Sequence, residues 1–159
     1  MINKNKGFSL IELLAVCLII AILSSLALPS YRRSVERTRV AEALTLLRSI
    51  YDSCERLSWE NGKDNCFAGI EDGTVTFRKL DVVMKGTFAN NGLTLNTDNF
   101  TYTLASSGLT ATSVKGQHIG SGVSYDGRIF SCLTTQGNQE ENQQACQDWG
   151  QVTWNEGGN

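Results

Sequence analysis

Apolar positions fall into three regimes along the chain. From Phe8 to Leu28, 17 of 21 residues are apolar, the exceptions being Ser9, Glu12, Ser24 and Ser25. As a helix this run is about 31 Å long, close to the roughly 30 Å hydrocarbon core of a bilayer. No polar face interrupts it, so it belongs in lipid or in a deeply buried position. A chain of 159 residues has little room to bury such a rod on every side. Beyond Pro29 the pattern changes. Val40, Leu44, Leu47, Tyr51 and Cys54 recur at intervals of 4, 3, 4 and 3, with Ala43, Ile50 and Leu57 beside them. That is one apolar stripe on an amphipathic helix over about residues 30–57. Pro29 removes one backbone donor and is expected to kink the rod rather than end it. Together the halves, Phe8 to Leu57, would span about 75 Å.

The third regime is short and alternating. Thr74–Phe77, Leu80–Met84, Leu93–Thr97, Phe100–Ala105, Leu109–Val114, Val123–Tyr125 and Ile129-Phe130 read as strands rich in Thr, Val, Tyr and Phe. Asn90-Asn91-Gly92 and Ser106-Ser107-Gly108 are turn signals, and Asp126-Gly127 reads as a two-residue hairpin. Strands with no helical stretch between them imply an antiparallel sheet, which covers the greasy face of the second half-helix. The expected fold class is α+β.

Charge and composition then narrow the function. The formal net charge is −2, from 14 Lys+Arg against 16 Asp+Glu. No basic excess points to nucleic acid. One histidine and no CxxC pair argue against zinc. His118, with no acid or cysteine near it in sequence, reads as a surface residue. No GxGxxG, P-loop, HExxH or GxSxG motif occurs. Neither an enzyme nor a bound cofactor or metal is expected. Asn96-Thr97-Asp98-Asn99 offers loop oxygens, without the carboxylate spacing of a calcium site. Asn99-Phe100-Thr101 fits a glycosylation sequon, a frequent chance match.

Glu12 is the residue that ordinary readings of the apolar run leave unexplained. A secretory signal would use Lys4 and Lys6 as its basic region and Ser25-Leu26-Ala27 as its cut, but the run is too long and contains an acid. Leu14-Ala15-Val16-Cys17 is a poor lipobox, and a permanent anchor has no use for the acid. A carboxylate in the first turns of a bilayer helix is costly unless paired. A positive group on another molecule would pair it, and the pair would set register between copies.

Lys6-Gly7-Phe8-Ser9-Leu10-Ile11-Glu12-Leu13-Leu14, followed by the apolar run, Pro29 and the stretch Tyr31–Ala43, resembles the prepilin signature of type IV pilins. The resemblance covers Lys4 to about Leu47. It implies a type IV pilin fold with three parts: a leader over residues 1–7, a transmembrane and assembly helix over 8–29, and an extracytoplasmic head over 30–159. It further implies cleavage between Gly7 and Phe8, N-methylation of Phe8 by the same prepilin peptidase, and Glu12 as the acid that receives a neighbour's Phe8 amine. Loss of Lys4 and Lys6 takes the net charge to −4. The implied function is a structural subunit of a type IV pilus, a helical homopolymer, with an inner-membrane assembly machinery as partner. Its product is a surface filament of adhesion, motility or DNA uptake. A pseudopilin of a type II secretion system shares the leader and rod and is the alternative. A membrane-anchored binding protein is a third reading. Positive-inside counting of Arg32, Arg33, Arg37 and Arg39 would place the head in the cytoplasm; the resemblance and the cysteines place it outside. Those arginines are then expected to pair with Glu36 and Glu42, in the same or adjacent subunits, or to lie on a solvated face with pairs worth a few tenths of a kcal/mol.

Cys54, Cys66, Cys132 and Cys146 allow three pairings, and sequence does not choose among them. Local closure favours Cys54–Cys66 and Cys132–Cys146, each worth about 3 kcal/mol in the chain-entropy model. The second also fits the C-terminal disulfide-bounded loop of many type IV pilins. It would pin the polar tail Thr134–Gln144. Cys17 reads as a small hydrophobe. Trp59, Trp149 and Trp154 read as core or disulfide-packing residues. Glu140, Glu141, Asp148 and Glu156 would make the tail an acidic patch.

Overall fold

The computed structural model describes residues 8–133 and 139–150. The chain divides into two compact units, Met1–Val35 and Glu36–Asn159. Helix α1, Leu10–Glu60, begins in the first and ends in the second, and it runs through Pro29 without a break in assignment. From Leu10 to Ser34 its side chains are exposed on every face, leucines and isoleucines included. Among the described residues it is the one helix long and apolar enough to cross a membrane.

In the second unit α1 becomes one-sided. Val40, Ala43, Leu44, Leu47, Ile50 and Cys54 are buried, and Tyr51 and Leu57 pack beside them. The stripe read from the sequence is therefore the core face. The helix runs past Arg56 to Glu60 and stops at Gly62, whose φ of 70° is left-handed. The Lys63 amide closes back on the Ser58 carbonyl at 2.9 Å, the kind of bond that satisfies a helix C-terminus.

The core is closed by a six-stranded antiparallel sheet in sequential order: β1 Thr87–Ala89, β2 Thr94–Asn96, β3 Phe100–Ala105, β4 Gly108–Ser113, β5 Gly122–Tyr125 and β6 Phe130–Leu133. Alternation decides which side chains face inward. Phe100, Tyr102 and Leu104 of β3, Leu109 and Ala111 of β4, and Val123 and Tyr125 of β5 are buried in one cluster with the α1 stripe. Ala105 pairs with Gly108, so Ser106-Ser107 is a two-residue turn. Asn90, Asn91 and Gly92 take φ values of 47°, 54° and 88°, three successive left-handed residues that turn β1 back onto β2.

Several local expectations are overturned. Thr74–Phe77 and Leu80–Met84 are not strands. Val75 bonds its amide to the Gly69 carbonyl, and Phe77–Lys79 forms a 3-10 turn. Val75, Phe77 and Leu80 are single buried plugs rather than one face of a ladder. The segment is fastened to α1 at Asp81, which accepts from the Ser53 hydroxyl and from Arg56 Nη2 at 2.8 and 2.9 Å. The Asp126-Gly127 turn is longer than two residues: Tyr125 pairs with Phe130, and Asp126 Oδ1 accepts from the Arg128 and Ile129 amides at 2.8 and 2.9 Å. Ile129 is thereby held outside the strand. Strand β1 and two helices, α2 Cys66–Glu71 and α3 Gln139–Trp149, are additional to the sequence reading.

Helix α2 starts at Asn65, whose side chain accepts from the Ala68 amide at 3.0 Å, and it packs on the last turns of α1. Gly69 makes that approach possible. A Cβ at this position would lie 2.5 Å from Ser58 Oγ and 2.6 Å from Val75 Cγ2. Gly69→Ala is therefore expected to destabilise the head by about 1–3 kcal/mol, the usual cost of overpacking, read as a lower urea midpoint at unchanged slope.

Candidate functional site

The start of α1 is a reciprocal cap. The Ser9 hydroxyl accepts from the Glu12 amide at 3.3 Å, and Glu12 Oε2 accepts from the Ser9 amide at 2.9 Å. Helix starts leave four amide donors without intrahelical partners, and a Ser-x-x-Glu pair satisfies two orphan donors at once. Glu12 is thus engaged within its own chain, where the sequence reading had considered only a partner on another molecule. The signal was in the sequence as Ser9-Leu10-Ile11-Glu12. A single backbone bond uses only part of a carboxylate's acceptor capacity, so Glu12 can still take a cation. Phe8 lies next to this cap and is highly exposed; Gly7 and the rest of the 1–7 leader lie outside the described residues. Cys17 is a free, exposed thiol on the apolar run.

The arginines after the run divide by partner. Arg39 Nη1 lies 3.0 Å from Glu36 Oε1, which also accepts from the Gln117 amide at 3.1 Å. Glu36 is only 5% exposed, so it is an interior tether between α1 and the β4–β5 loop rather than part of a solvated face. Gly116 fits against this pair without a side chain. Arg37 Nε donates to the Asp148 carbonyl at 2.9 Å. Glu42 makes no ion pair among the described residues.

Cys54 is bonded to Cys66 and Cys132 to Cys146, with Cα separations of 5.1 and 6.1 Å. The first joins α1 to α2. The second joins β6 to α3, whose Ala145, Cys146 and Trp149 are buried. His118 is not a surface residue. Its Nε2 lies 3.1 Å from Asp148 Oδ2, both side chains are largely buried, and the ring meets Trp149 edge-on at 6.0 Å. Acid and histidine are 30 residues apart in sequence, and the disulfide-held helix is what brings them together. Trp59 is 64% exposed, contrary to its reading as core, whereas Trp149 is 2% exposed; Trp154 and Glu156 lie outside the described residues. Among those described, no group of three His, Cys, Asp or Glu could hold a metal. In the Asn96–Asn99 loop, Thr97 Oγ1 and Asn96 Oδ1 are engaged with Phe100 and Thr101.

Three aspartates of the head have carboxyls held below the ordinary range. Asp72 is lowered by Lys63 and then Thr74, Asp81 by the Ser53 hydroxyl and then Arg56, and Asp126 by the Ile129 and Arg128 amides. A depressed folded-state value stabilises the fold above the unfolded value and ceases to do so as pH falls. The head's melting temperature is therefore expected to be flat from pH 7 to about 5 and to fall below about pH 4, near the unfolded aspartate value. Calorimetry across that range checks it.

Geometry defines an α+β protein with a long apolar helix capped by its own acid and, among the described residues, a head closed by two disulfides. Residues 2–28 match the family described as the prokaryotic N-terminal methylation motif. The chain is 34% identical over 116 residues to the fimbrial protein EcpC of Eikenella corrodens, covering 71% of each. It is 33% identical over 96 residues to a fimbrial protein of Moraxella nonliquefaciens, covering 57% of this chain and 62% of that one. It is also 38% identical over 69 residues to the type IV major pilin protein PilE of Neisseria gonorrhoeae, covering 42% and 41%. No solved structure matches the chain. The chain belongs to the type IV pilin family. Its α+β architecture is the type IV pilin fold, and its relatives are named as fimbrial proteins and type IV major pilins.

Proposed function

We propose that this chain is made as a precursor, cut between Gly7 and Phe8, N-methylated on Phe8, and polymerised through residues 8–29 into a surface filament. Its Cys54–Cys66 and Cys132–Cys146 bonds form outside the cytoplasm, where disulfides persist. The observation that carries this reading is the likeness to a fimbrial protein over 71% of both chains, a length that the apolar helix alone cannot supply. Before assembly the apolar helix sits in the inner membrane, with residues 30–159 on the outer side. The prepilin peptidase and an inner-membrane assembly machinery act on it there. Moving the rod from lipid to a bundle of like rods is nearly neutral for apolar surface. Direction then comes from the machinery and from Glu12, which receives the Phe8 amine of a neighbour. Pro29 loosens the helix where it leaves the membrane. The named relatives are pilins and fimbrial proteins, so the secretion pseudopilus is not favoured.

Intact-mass analysis and amino-terminal sequencing of filaments sheared from cells test the proposal. The expected subunit begins at Phe8 and is one methyl group heavier than the unmodified chain. A subunit beginning at Met1, or after Leu28, would overturn it.

A further inference from the structure

Of Arg32, Arg33, Arg37 and Arg39, which follow the apolar run, three are absorbed by the protein itself. Arg39 pairs with Glu36, Arg37 donates to the Asp148 carbonyl, and Arg33 is engaged within the chain. Arg32 is exposed and makes no ion pair among the described residues. Tyr31 beside it is exposed as well. No Asp or Glu occurs between Glu12 and Glu36, and Glu36 is buried and already held by Arg39 and the Gln117 amide. Depth along the helix decides what Arg32 meets. It lies about 6 Å past Leu28 along the axis, at 1.5 Å per residue. With residues 8–28 filling the hydrocarbon, that is inside the headgroup layer, which adds about 5–8 Å on each side of the bilayer core.

We propose that Arg32, with Tyr31 beside it, binds the headgroup of an anionic phospholipid in the outer leaflet while the subunit is in the membrane. This rests on the membrane placement proposed above. A guanidinium presents paired donors that match two phosphate oxygens. Tyrosines collect at this level because the ring is apolar and the hydroxyl polar. Charge and depth together favour a lipid over a second copy of the chain. Another rod at the same depth brings no carboxylate, because the segment contains none. An anionic headgroup neutralises the guanidinium, whereas a zwitterionic one carries its own cation to compete with it. The contact gives a role to a cation that positive-inside counting would not place on the outer side. It is given up when the subunit leaves lipid for the filament.

Native mass spectrometry of the full chain in detergent, titrated with phosphatidylglycerol or phosphatidylcholine, tests this. Phosphatidylglycerol is expected to bind more tightly than phosphatidylcholine. Arg32→Gln should lower its affinity about fivefold, the scale of one basic residue at an anionic surface, and leave phosphatidylcholine unchanged. Arg48, an exposed arginine of the head, is the control, and Arg48→Gln should change neither affinity. Both side chains are exposed, so both variants should retain the wild-type circular dichroism. Equal affinity for the two lipids, wild-type phosphatidylglycerol binding by Arg32→Gln, or an equal loss in Arg48→Gln would overturn the proposal. So would displacement of the lipid by equimolar inorganic phosphate, since Arg32 would then hold a free anion. The measurement uses the uncleaved chain and needs no filament. Its failure therefore leaves cleavage and polymerisation standing, and an unexpected amino terminus on sheared filaments leaves the lipid result standing.

Discussion

Glu12→Ala is expected to yield a processed, membrane-inserted protein with a native head and roughly a hundredfold or greater loss of surface filaments, the scale of removing one partner from a desolvated ion pair. Quantifying subunit in sheared and cell-bound fractions reads this directly. The cap seen at the helix start makes the alanine result ambiguous by itself, because alanine removes both the charge and the acceptor for the Ser9 amide. Glu12→Gln separates the two. Glutamine can serve as the capping partner in a Ser-x-x-Gln box but offers no charge to a neighbour's amine. The pairing role predicts that glutamine fails as alanine does. It also predicts that Ser9→Ala, which keeps the carboxylate and loses only the hydroxyl acceptor, still assembles. Filaments from Glu12→Gln at wild-type yield would reduce Glu12 to a local helix cap and end the pairing account.

What the sequence disclosed follows from how each element is stabilised. Helix α1 was legible because its second half buries one stripe, so Val40, Leu44, Leu47 and Cys54 must recur at helical spacing. Strands β3 and β4 were legible for the corresponding reason: Phe100, Tyr102 and Leu104 alternate with half-buried residues. Residues 74–84 carry the same residue types, but Val75, Phe77 and Leu80 act singly and the backbone bonds locally, so composition mimicked a strand. Helix α3 was hidden because Ala145, Cys146 and Trp149 are too few to make a stripe; tertiary docking, not periodicity, holds it. The interior roles of Glu36 and His118 were invisible because their partners, Gln117 and Asp148, are 81 and 30 residues away. At the helix start, Glu12 was conspicuous by its polarity, yet its local partner Ser9, three residues before it, went unread.

Trp149→Ala is expected to be the most damaging single truncation in the head, at about 3–5 kcal/mol, the usual cost of removing a buried aromatic. The ring is 2% exposed and sits on α3 one turn beyond Cys146, perpendicular to the His118 ring. The Cys132–Cys146 bond keeps α3 tethered in the variant, but a tether does not refill the cavity. The His118–Asp148 contact and the Arg37 bond to the Asp148 carbonyl both rest on the same turn and should loosen with it. Urea denaturation of the full chain in detergent, followed by near-ultraviolet circular dichroism, measures the loss. Trp59→Ala is the matched control: that ring is 64% exposed, so the change should stay within about 0.5 kcal/mol. Trp149→Phe distinguishes packing from hydrogen bonding. Trp149 Nε1 has no partner among the described residues, so the indole donates nothing that phenylalanine would lack, and the aromatic bulk should restore most of the stability. A Trp149→Ala cost below about 1 kcal/mol, far under the range for such truncations, would mean that α3 is held by its disulfide alone and that the core ends at the sheet.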